Sequence, residues 1–268
     1  MGVSLDQILR TTRTRVCAAK GVADLRELER RAERHVPRGF RKALLEKSGV
    51  AVIAELKKAS PSKGLIRGKF FVEELASELE LAGAAALSVL TDEEFFQGSL
   101  ENLRKASAAV KIPCLRKDFI VDEFQLLEAR AYGADAVLLI VAALSQEELV
   151  RLGCMARERG LDVLCEVHDE VELERAVNAG FDLIGVNTRD LRTFSVDGET
   201  AVRLAGKLPK DVVKVAESGI GSGEDVGRLR AAGYDAFLIG ETLMRAERPG
   251  ARLRSLVGSC EYRVPSVG

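Results

Sequence analysis

Eight short apolar runs alternate with helical patterns along most of this chain, and that count predicts an α/β fold, the (β/α)8 TIM barrel, with an N-terminal helical extension. The runs start roughly 20–35 residues apart, which is the size of one βα unit. A doubly wound open sheet is the alternative, but its G-x-G-x-x-G fingerprint does not follow the first run. We therefore expect an extension at residues 1–47, a catalytic barrel at 48–256 and a C-terminal tail at 257–268.

Each element follows from a local pattern. The extension contains LRELERRAERH at 25–35, which reads as a charged amphipathic helix. The apolar runs, interpreted as buried strands, are VAVIAEL at 50–56, ALSVL at 86–90, PCLR at 113–116, AVLLIVAA at 136–143, DVLCEV at 162–167, LIGVN at 183–187, VVKVA at 212–216 and AFLIG at 236–240. Helical patterns cover 72–82, 122–132, 145–159, 169–179 and 222–232. Ser145 and Ser222 are expected N-caps. A glycine follows four of the helical patterns, at Gly83, Gly133, Gly180 and Gly233.

The composition excludes several classes of protein. With 40 Lys and Arg against 41 Asp and Glu the net charge is −1, so no nucleic-acid partner is expected. No stretch approaches roughly 18 uninterrupted apolar residues, so no membrane span is expected. Five scattered cysteines without a C-x-x-C spacing, and only two histidines, predict neither a disulfide frame nor a metal site. The N-terminus lacks a signal-peptide pattern, so we expect a cytoplasmic protein with reduced thiols, acting as a monomer or weak homodimer.

Polar residues gather at the C-terminal ends of the predicted strands, where barrels of this class place their active sites. Five runs end in ionisable or amide side chains: Glu55 and Lys57, Lys117 and Asp118, Glu166 and His168, Asn187 and Arg189, and Glu217. Because side chains alternate along a strand, Glu55 shares a face with Lys57, and Glu166 with His168. Buried parallel strands normally stay apolar to their ends, so the set predicts an active site. For Glu55 and Lys57 alone, a structural salt bridge is the competing interpretation.

Two glycine-containing loops predict a phosphate site. Residues 217–223 (ESGIGSG) follow the seventh run, and residues 239–242 (IGET) follow the eighth. In barrels of this class these loops often bind phosphate through backbone N–H groups, although ordinary turn glycines are the alternative. Glu241 would repel a phosphate unless its side chain turns away, and Lys57 is a candidate charge contact. A lysine and carboxylates that lie together at the C-terminal ends of the strands predict acid–base chemistry on a small anionic substrate, without metal or cofactor.

The residues also carry a family resemblance. VIAELKKASPSKG at 52–64 resembles the opening signature of indole-3-glycerol phosphate synthase, the ring-closing enzyme of tryptophan biosynthesis. Further matching segments are SVLT at 88–91, FFQGS at 95–99, LRKDFI at 115–120, GVNTRDL at 185–191 and ESGI at 217–220. The resemblance covers residues 40–250, and the N-terminal helical segment is similar to the extension that this family carries.

The resemblance implies a carboxy-lyase that closes the indole ring of 1-(2-carboxyphenylamino)-1-deoxyribulose 5-phosphate with loss of CO2 and water. By position, Lys117 resembles the general acid and Glu166 a carboxylate of the acid–base steps. Glu55 and Asn187 match residues that hold Lys117 and the substrate hydroxyls, and Glu55 is a candidate for the dehydration. Lys57 matches a phosphate or carboxylate contact with an acid role.

The substrate contacts are implied in the same way. They are Ser60, Ser218, Gly219, Gly240 and Glu241 at the phosphate, Arg189 at the anthranilate carboxylate, Leu90, Phe96, Phe119 and Leu138 at the aromatic ring, and Glu217. His168 receives no role from the resemblance and is interpreted as a structural histidine. The loop at 60–62 is expected to be mobile and to close over the substrate.

Two other interpretations stay open at this point. One is another phosphate-binding barrel, such as a phosphoribosylanthranilate isomerase or a pentose-phosphate epimerase. The epimerase needs metal-ligand histidines, and the isomerase favours a Cys/Asp pair that Cys165, outward by parity, does not supply. The other is a non-catalytic barrel that binds a phosphometabolite or a protein, in which acid and base positions are expected to be lost.

Overall fold

A closed barrel of parallel strands forms the body of the molecule. The computed structural model describes residues 3–189 and 197–261. The strands are β1 (Ala51–Leu56), β2 (Ala59–Ser60), β3 (Gly64–Leu65), β4 (Ala86–Leu90), β5 (Cys114–Lys117), β6 (Ala136–Ile140), β7 (Asp162–Val167), β8 (Leu183–Asn187), β9 (Val213–Glu217) and β10 (Ala236–Ile239). All except β2 and β3 join the barrel, in the order β1-β10-β9-β8-β7-β6-β5-β4. The predicted barrel is confirmed, and the open sheet is excluded.

Helices follow the strands around the outside of the barrel. They are α1 (Leu5–Val22), α2 (Leu25–Arg34), α3 (Phe40–Glu46), α4 (Val72–Leu81), α5 (Leu100–Ala109), α6 (Phe124–Ala131), α7 (Gln146–Glu158), α8 (Glu170–Asn178), α9 (Gly198–Ala205), α10 (Gly223–Ala231), α11 (Glu241–Met244) and α12 (Pro249–Glu261). Ser145 and Ser222 form capping boxes, as predicted. The four predicted post-helix glycines all have φ between 72° and 103°, a region that strains residues with a Cβ. Among these helices none is long and apolar enough to cross a bilayer.

The N-terminal helices α1 to α3 are attached to opposite ends of the barrel. Near the C-terminal ends of the strands, Arg15 of α1 lies 3.1 Å from Asp118 Oδ1. At the other end, Asp135 precedes β6 and accepts a hydrogen bond from Arg38 Nη2 at 2.6 Å. His35 Nε2 lies 3.1 Å from the second oxygen of the same carboxylate. The extension is therefore anchored by cations that pair with buried carboxylates of the barrel.

The structure contains helices α5 and α9 beyond the predicted helical patterns, and it differs from the predicted elements in other places as well. The loop after β1 contains the antiparallel hairpin β2–β3, whose two-residue strands are too short to show a period. The run at 136–143 leaves the barrel at Ile140, and Val141–Ala143 form a 3-10 turn, because buried turn and strand share an apolar composition. Helix α12 continues to Glu261, past the predicted barrel end at 256. Asp190 and Leu191 of the GVNTRDL segment, and tail residues 262–268, lie outside the described residues.

Candidate active site

The C-terminal ends of the barrel strands enclose a cavity of about 810 Å³. Every residue predicted for catalysis or substrate binding lines it. These residues are Glu55, Lys57, Ser60, Leu90, Phe96, Lys117, Phe119, Leu138, Glu166, Asn187, Arg189, Glu217, Ser218, Gly219, Gly240 and Glu241. The structure thus brings the predicted set together in one place, while the chemical role of each residue stays a prediction.

An apolar layer underlies the charged groups. Ile53, Leu115 and Leu164 each precede a site residue by two positions, so they share its face of the strand. All three side chains are fully buried. Charges above such a floor interact more strongly than they do in water, because the surroundings are less polarisable. The strands therefore supply both the position of the ionisable groups and a setting that magnifies their coupling.

Lys117 lies between two carboxylates at the centre of the cavity. Its Nζ donates to Glu166 Oε2 at 2.7 Å and to Glu217 Oε2 at 3.2 Å. Lys117 and Glu217 end β5 and β9, and Glu166 is the second-last residue of β7; alternate strands of a barrel contribute side chains to a common interior layer. Sequence reasoning named Glu217 only as a substrate contact and missed its bond to Lys117. Parity along single strands could not reveal that bond, because it crosses the barrel.

The three members of this cluster differ in their pKa shifts, and therefore in their charge at neutral pH. Burial favours a neutral Lys117, but Glu166, Glu217 and Glu55 outweigh it and raise the lysine pKa. Burial opposes ionisation of Glu166 as well, yet Lys117 and then His168 lower its pKa. Burial and the neighbouring Glu166 raise the pKa of Glu217 to about 8. At neutral pH the cluster therefore holds an ammonium, one carboxylate and one protonated carboxyl.

Two glycines make room for carboxylates of the site. A Cβ on Gly185 of β8 would overlap Glu217 Oε1, and a Cβ on Gly240 would overlap Glu55 Oε2. Gly185 does not have a positive φ, so its backbone conformation alone does not require glycine. The remaining reason for a glycine at position 185 is the space that the Glu217 carboxyl occupies. Sequence reasoning missed this role for Gly185, since nothing along the chain links it to a strand-end carboxylate on β9.

Glu55 and Lys57 form an ion pair inside the cavity. Lys57 Nζ lies 2.6 Å from Glu55 Oε2, and both side chains are largely buried. The pair thus borders the same space as Lys117, and Lys57 leads directly into the β2–β3 hairpin that carries Ser60. The prediction that these two side chains share a face is confirmed.

The glycine-rich loops follow β9 and β10 and lie on the same side of the cavity as the ion pair at the end of β1, because β10 is the neighbour of β1 in the barrel. Ser218 and Gly219 adopt φ values of 66° and 71°, so the chain turns sharply after β9. Ser218 Oγ donates to Asn187 Oδ1 at 2.7 Å, which joins the ends of β9 and β8. Glu241 Oε1 accepts a hydrogen bond from Arg245 Nε at 2.9 Å, one turn along α11. That bond pairs the Glu241 carboxylate with a cation that also lines the cavity.

An apolar wall completes the cavity. The rings of Phe96 and Phe119 lie with centroids 6.3 Å apart at an interplanar angle of 41°. Leu90 and Leu138 line the same cavity from β4 and β6. Such a surface suits a planar aromatic group placed beside the ionisable cluster.

A buried polar network that the sequence did not reveal supports the end of β5. Asp118 Oδ2 accepts hydrogen bonds from Thr91 Oγ1 at 2.7 Å and Arg116 Nη2 at 3.0 Å. Arg15 of α1 binds the same carboxylate from outside the barrel. Burial opposes ionisation of Asp118, but Arg116 and Arg15 lower its pKa. Since Asp118 directly follows Lys117, the network fixes the backbone that carries the central lysine.

These features define a (β/α)8 barrel of the kind found in enzymes, with a buried cluster of ionisable residues in a cavity at the carboxyl ends of its strands. Comparison with known proteins identifies the family. The family model described as indole-3-glycerol phosphate synthase matches residues 5–256. A protein of Koribacter versatilis (strain Ellin345) that bears the same description is 62% identical over 260 residues, which cover 96% of this chain and 100% of that protein. The chain belongs to the indole-3-glycerol phosphate synthase family, and its activity is that of a carboxy-lyase of tryptophan biosynthesis.

The fold itself is shared more widely. A solved structure of thiamine phosphate pyrophosphorylase from Pyrococcus furiosus matches with a TM-score of 0.60 at 17% sequence identity. The match covers 82% of this chain and 98% of that one. At this level of identity the likeness concerns the barrel alone.

Proposed function

We propose that Lys117, Glu166 and Glu55 carry the proton transfers by which this chain converts 1-(2-carboxyphenylamino)-1-deoxyribulose 5-phosphate into indole-3-glycerol phosphate, CO2 and water, with Glu217 holding Lys117 in place. The observation that carries the proposal is the Lys117 ammonium held at 2.7 Å from Glu166 and 3.2 Å from Glu217 beside an aromatic wall. Such an ammonium is fixed in place, is shielded from bulk water, and can lose a proton.

Ring closure is the step assigned to Lys117. The anthranilate ring carbon attacks the ribulose carbonyl carbon, a carbon–carbon bond forms, and Lys117 gives a proton to the carbonyl oxygen, which becomes a hydroxyl. An arginine could not serve, because a guanidinium does not release its proton in a protein. The attack also requires a fixed approach of the two carbons, which the wall of Phe96 and Phe119 supports.

Decarboxylation and dehydration complete the reaction. The carboxylate leaves as CO2, and its bonding electron pair returns to the ring. The new hydroxyl then leaves as water after protonation, with Glu55 as the proposed acid once it has taken a proton from the Lys57 ammonium beside it, and Glu166 accepts the proton that leaves the five-membered ring. One proton is consumed per turnover, since an ionised carboxylate departs as neutral CO2. We expect turnover without added metal or cofactor.

Substrate binding is divided between the two sides of the cavity. The phosphate is proposed to bind at Ser60, Ser218, Gly219, Gly240 and Glu241, with Lys57 adding a charge contact. Arg189 is proposed to bind the substrate carboxylate through its guanidinium fork. Asn187, already bonded to Ser218, is proposed to hold a ribulose hydroxyl. The aromatic ring is proposed to lie against Leu90, Phe96, Phe119 and Leu138.

The test is direct turnover. Purified protein is mixed with the carboxyphenylamino-deoxyribulose phosphate, and the fluorescence of the indole product is followed with and without a chelator. Product formation at equal rates in both is expected. Absence of indole at high enzyme concentration would show that the proposed reaction is wrong.

We further propose a cytoplasmic protein without a nucleic-acid partner that acts as a monomer or weak homodimer. The near-zero net charge of −1 supports the absence of a nucleic-acid partner. Residues 1–47 are proposed as an extension, 48–256 as the catalytic unit and 257–268 as a tail, with the hairpin at 59–65 as a closing element. Sedimentation over a range of concentrations tests the assembly. Unchanged hydrogen exchange of the hairpin on product binding would count against closure.

A further inference from the structure

His168 is a mostly buried ionisable group that the acid–base scheme leaves without a task. It follows β7, two residues after Glu166, and its side chain is 13% exposed. It lies outside the residues that line the cavity, so a direct substrate contact is not its role. Its position directly behind Glu166 is more specific than the sequence interpretation of a structural histidine requires.

The contacts of the imidazole define its protonation state. Nδ1 lies 2.9 Å from Glu172 Oε2, an oxygen that also accepts the His168 backbone N–H at 2.9 Å. A carboxylate only accepts hydrogen bonds, so Nδ1 carries a hydrogen. Nε2 faces Glu166 Oε1 at 3.4 Å and has no hydrogen-bond partner among the described residues. In a neutral ring its lone pair would face an ionised carboxylate, so the favourable form is the imidazolium.

The surrounding charges place His168 inside a row of ionisable side chains, between Glu166 and Glu172. Glu166 Oε2 binds Lys117, while Glu166 Oε1 faces His168. The charged groups around this row are Lys117 from β5, Glu217 from β9, Glu55 from β1 and Glu172 from α8. Burial opposes the cation, but Glu166 and Glu172 raise the pKa of His168 to about 10. Positive and negative groups therefore alternate from Lys117 outward to Glu172.

We propose that His168 is a positioning residue that acts through Glu166: its imidazolium, oriented by Glu172, keeps Glu166 as the ionised carboxylate and leaves the shared proton on Glu217. The inference rests on the acid–base roles proposed for Lys117 and Glu166. Without the cation, the two carboxyl groups become more alike, and the proton spends part of its time on Glu166. Glu166 is then a weaker partner for Lys117 and a poorer proton acceptor.

The first experiment reads the protonation state without using activity. The chain has two histidines, so imidazole NMR spectra of the whole protein contain two ring systems, and a His35→Asn variant assigns them. His168 is expected to remain an imidazolium at pH 8, and in Glu172→Gln it is expected to lose its proton at lower pH. A neutral His168 at pH 8 would overturn the proposal. A titration unchanged by Glu172→Gln would overturn the part assigned to Glu172.

The second experiment measures kcat/KM against pH for wild type, His168→Gln and His168→Asn. Both variants remove the cation, and the glutamine keeps an amide donor toward Glu166. The acid limb is expected to move up by about one pH unit, which is roughly a tenfold loss at the acid end of the profile. Binding of inorganic phosphate is expected to stay unchanged. An unshifted acid limb in both folded variants overturns this inference, whereas a wild type without turnover would instead overturn the proposed function.

Discussion

Glu217 at the mouth of the barrel and Asp135 at its base are both buried carboxyl groups beside cations, yet their surroundings differ. Asp135 receives hydrogen bonds from Arg38 N, Nε and Nη2 and from Cys114 N, with His35 Nε2 3.1 Å away. Glu217 receives one from Lys117, which it shares with Glu166. Its Oε1 has no partner among the described residues.

The pKa values of the two carboxyl groups follow the number of hydrogen bonds that each one accepts. Burial opposes ionisation of Asp135, but His35 and Arg38 lower its pKa below the ordinary range. Burial and Glu166 raise the pKa of Glu217 to about 8. A fully satisfied buried carboxylate stays charged at neutral pH and anchors structure, whereas an incompletely satisfied one exchanges its proton near neutral pH. The same chemical group is therefore held as an ion at one end of the barrel, and at the other end it can bind or release a proton near neutral pH.

Removing the Lys117 cation from the active-site cavity gives the largest expected effect, which is a loss of kcat. Lys117→Met is expected to lower kcat by about 10³-fold or more, because the proposed general acid and its charge are both lost. Binding of indole-3-glycerol phosphate, followed by titration calorimetry, is expected to change little. Lys42→Met is the matched control, since Lys42 lies on the surface of α3 beside Glu46. Near-normal turnover of Lys117→Met would remove Lys117 from the acid role.

Removing the charge from the base tests stability. Asp135→Asn is expected to lower the free energy of unfolding by about 3 kcal/mol, because the largely buried Arg38 loses its counter-ion. Urea denaturation measures this change, and kcat of the folded fraction is expected to stay at the wild-type value. Asp182→Asn is the control, since Asp182 pairs with Arg41 at an exposed position. If Asp135→Asn strongly lowered kcat without lowering the free energy of unfolding, the contrast between a structural carboxylate at the base of the barrel and a titrating one at its mouth would be wrong.

Filling the space beside Glu217 tests how strongly kcat depends on the position of its carboxyl group, because the group is displaced but not removed. Gly185→Ala is expected to lower kcat by about 10²-fold, since a displacement near 1 Å in a catalytic group has that effect. Gly227→Ala serves as the control, because Gly227 of α10 has nothing within 4 Å of an added Cβ. Unaltered kcat in a folded Gly185→Ala protein would argue against the proposed spacing role.

The last expected effect is a difference in the pH dependence of stability. The raised pKa of Glu217 contributes stability that is complete below its ordinary value of 4.5 and is lost as pH rises through about 8. The lowered pKa of Asp135 has the opposite sign, so its contribution is present above 3.8 and is lost as pH falls through the folded value. Glu217→Gln should therefore gain stability relative to wild type between pH 5 and roughly pH 9. If the free energies of unfolding of wild type and Glu217→Gln changed in parallel with pH across that range, the raised pKa of Glu217 would be contradicted.

The sequence predicted the fold because its signals are local and repeated. Each strand is a short apolar run, and the capping boxes at Ser145 and Ser222 mark helix starts by residue type alone. Strand parity also placed Glu55 with Lys57 inside the barrel. The hairpin at 59–65 escaped prediction, since four paired residues carry no period.

The relations across the barrel could not be predicted from single strands. The Lys117–Glu217 bond joins residues 100 positions apart, and its geometry depends on the tilt and register of the strands between them. Gly185 is informative only once Glu217 is known to lie beside it. His168 shared a face with Glu166 in the sequence, but its second partner, Glu172, lies one helical turn beyond the strand end.

The anchors of the N-terminal helices have a consequence for the order of assembly. Arg15 pairs with Asp118 and Arg38 with Asp135, at separations of 103 and 97 residues. During synthesis the extension emerges first, but both partners follow only with β5 and β6. Short helices alone are marginal in water, and distant contacts must first meet the entropy of closing a long loop. Docking of the extension is therefore a late event that waits for the first half of the barrel to be made.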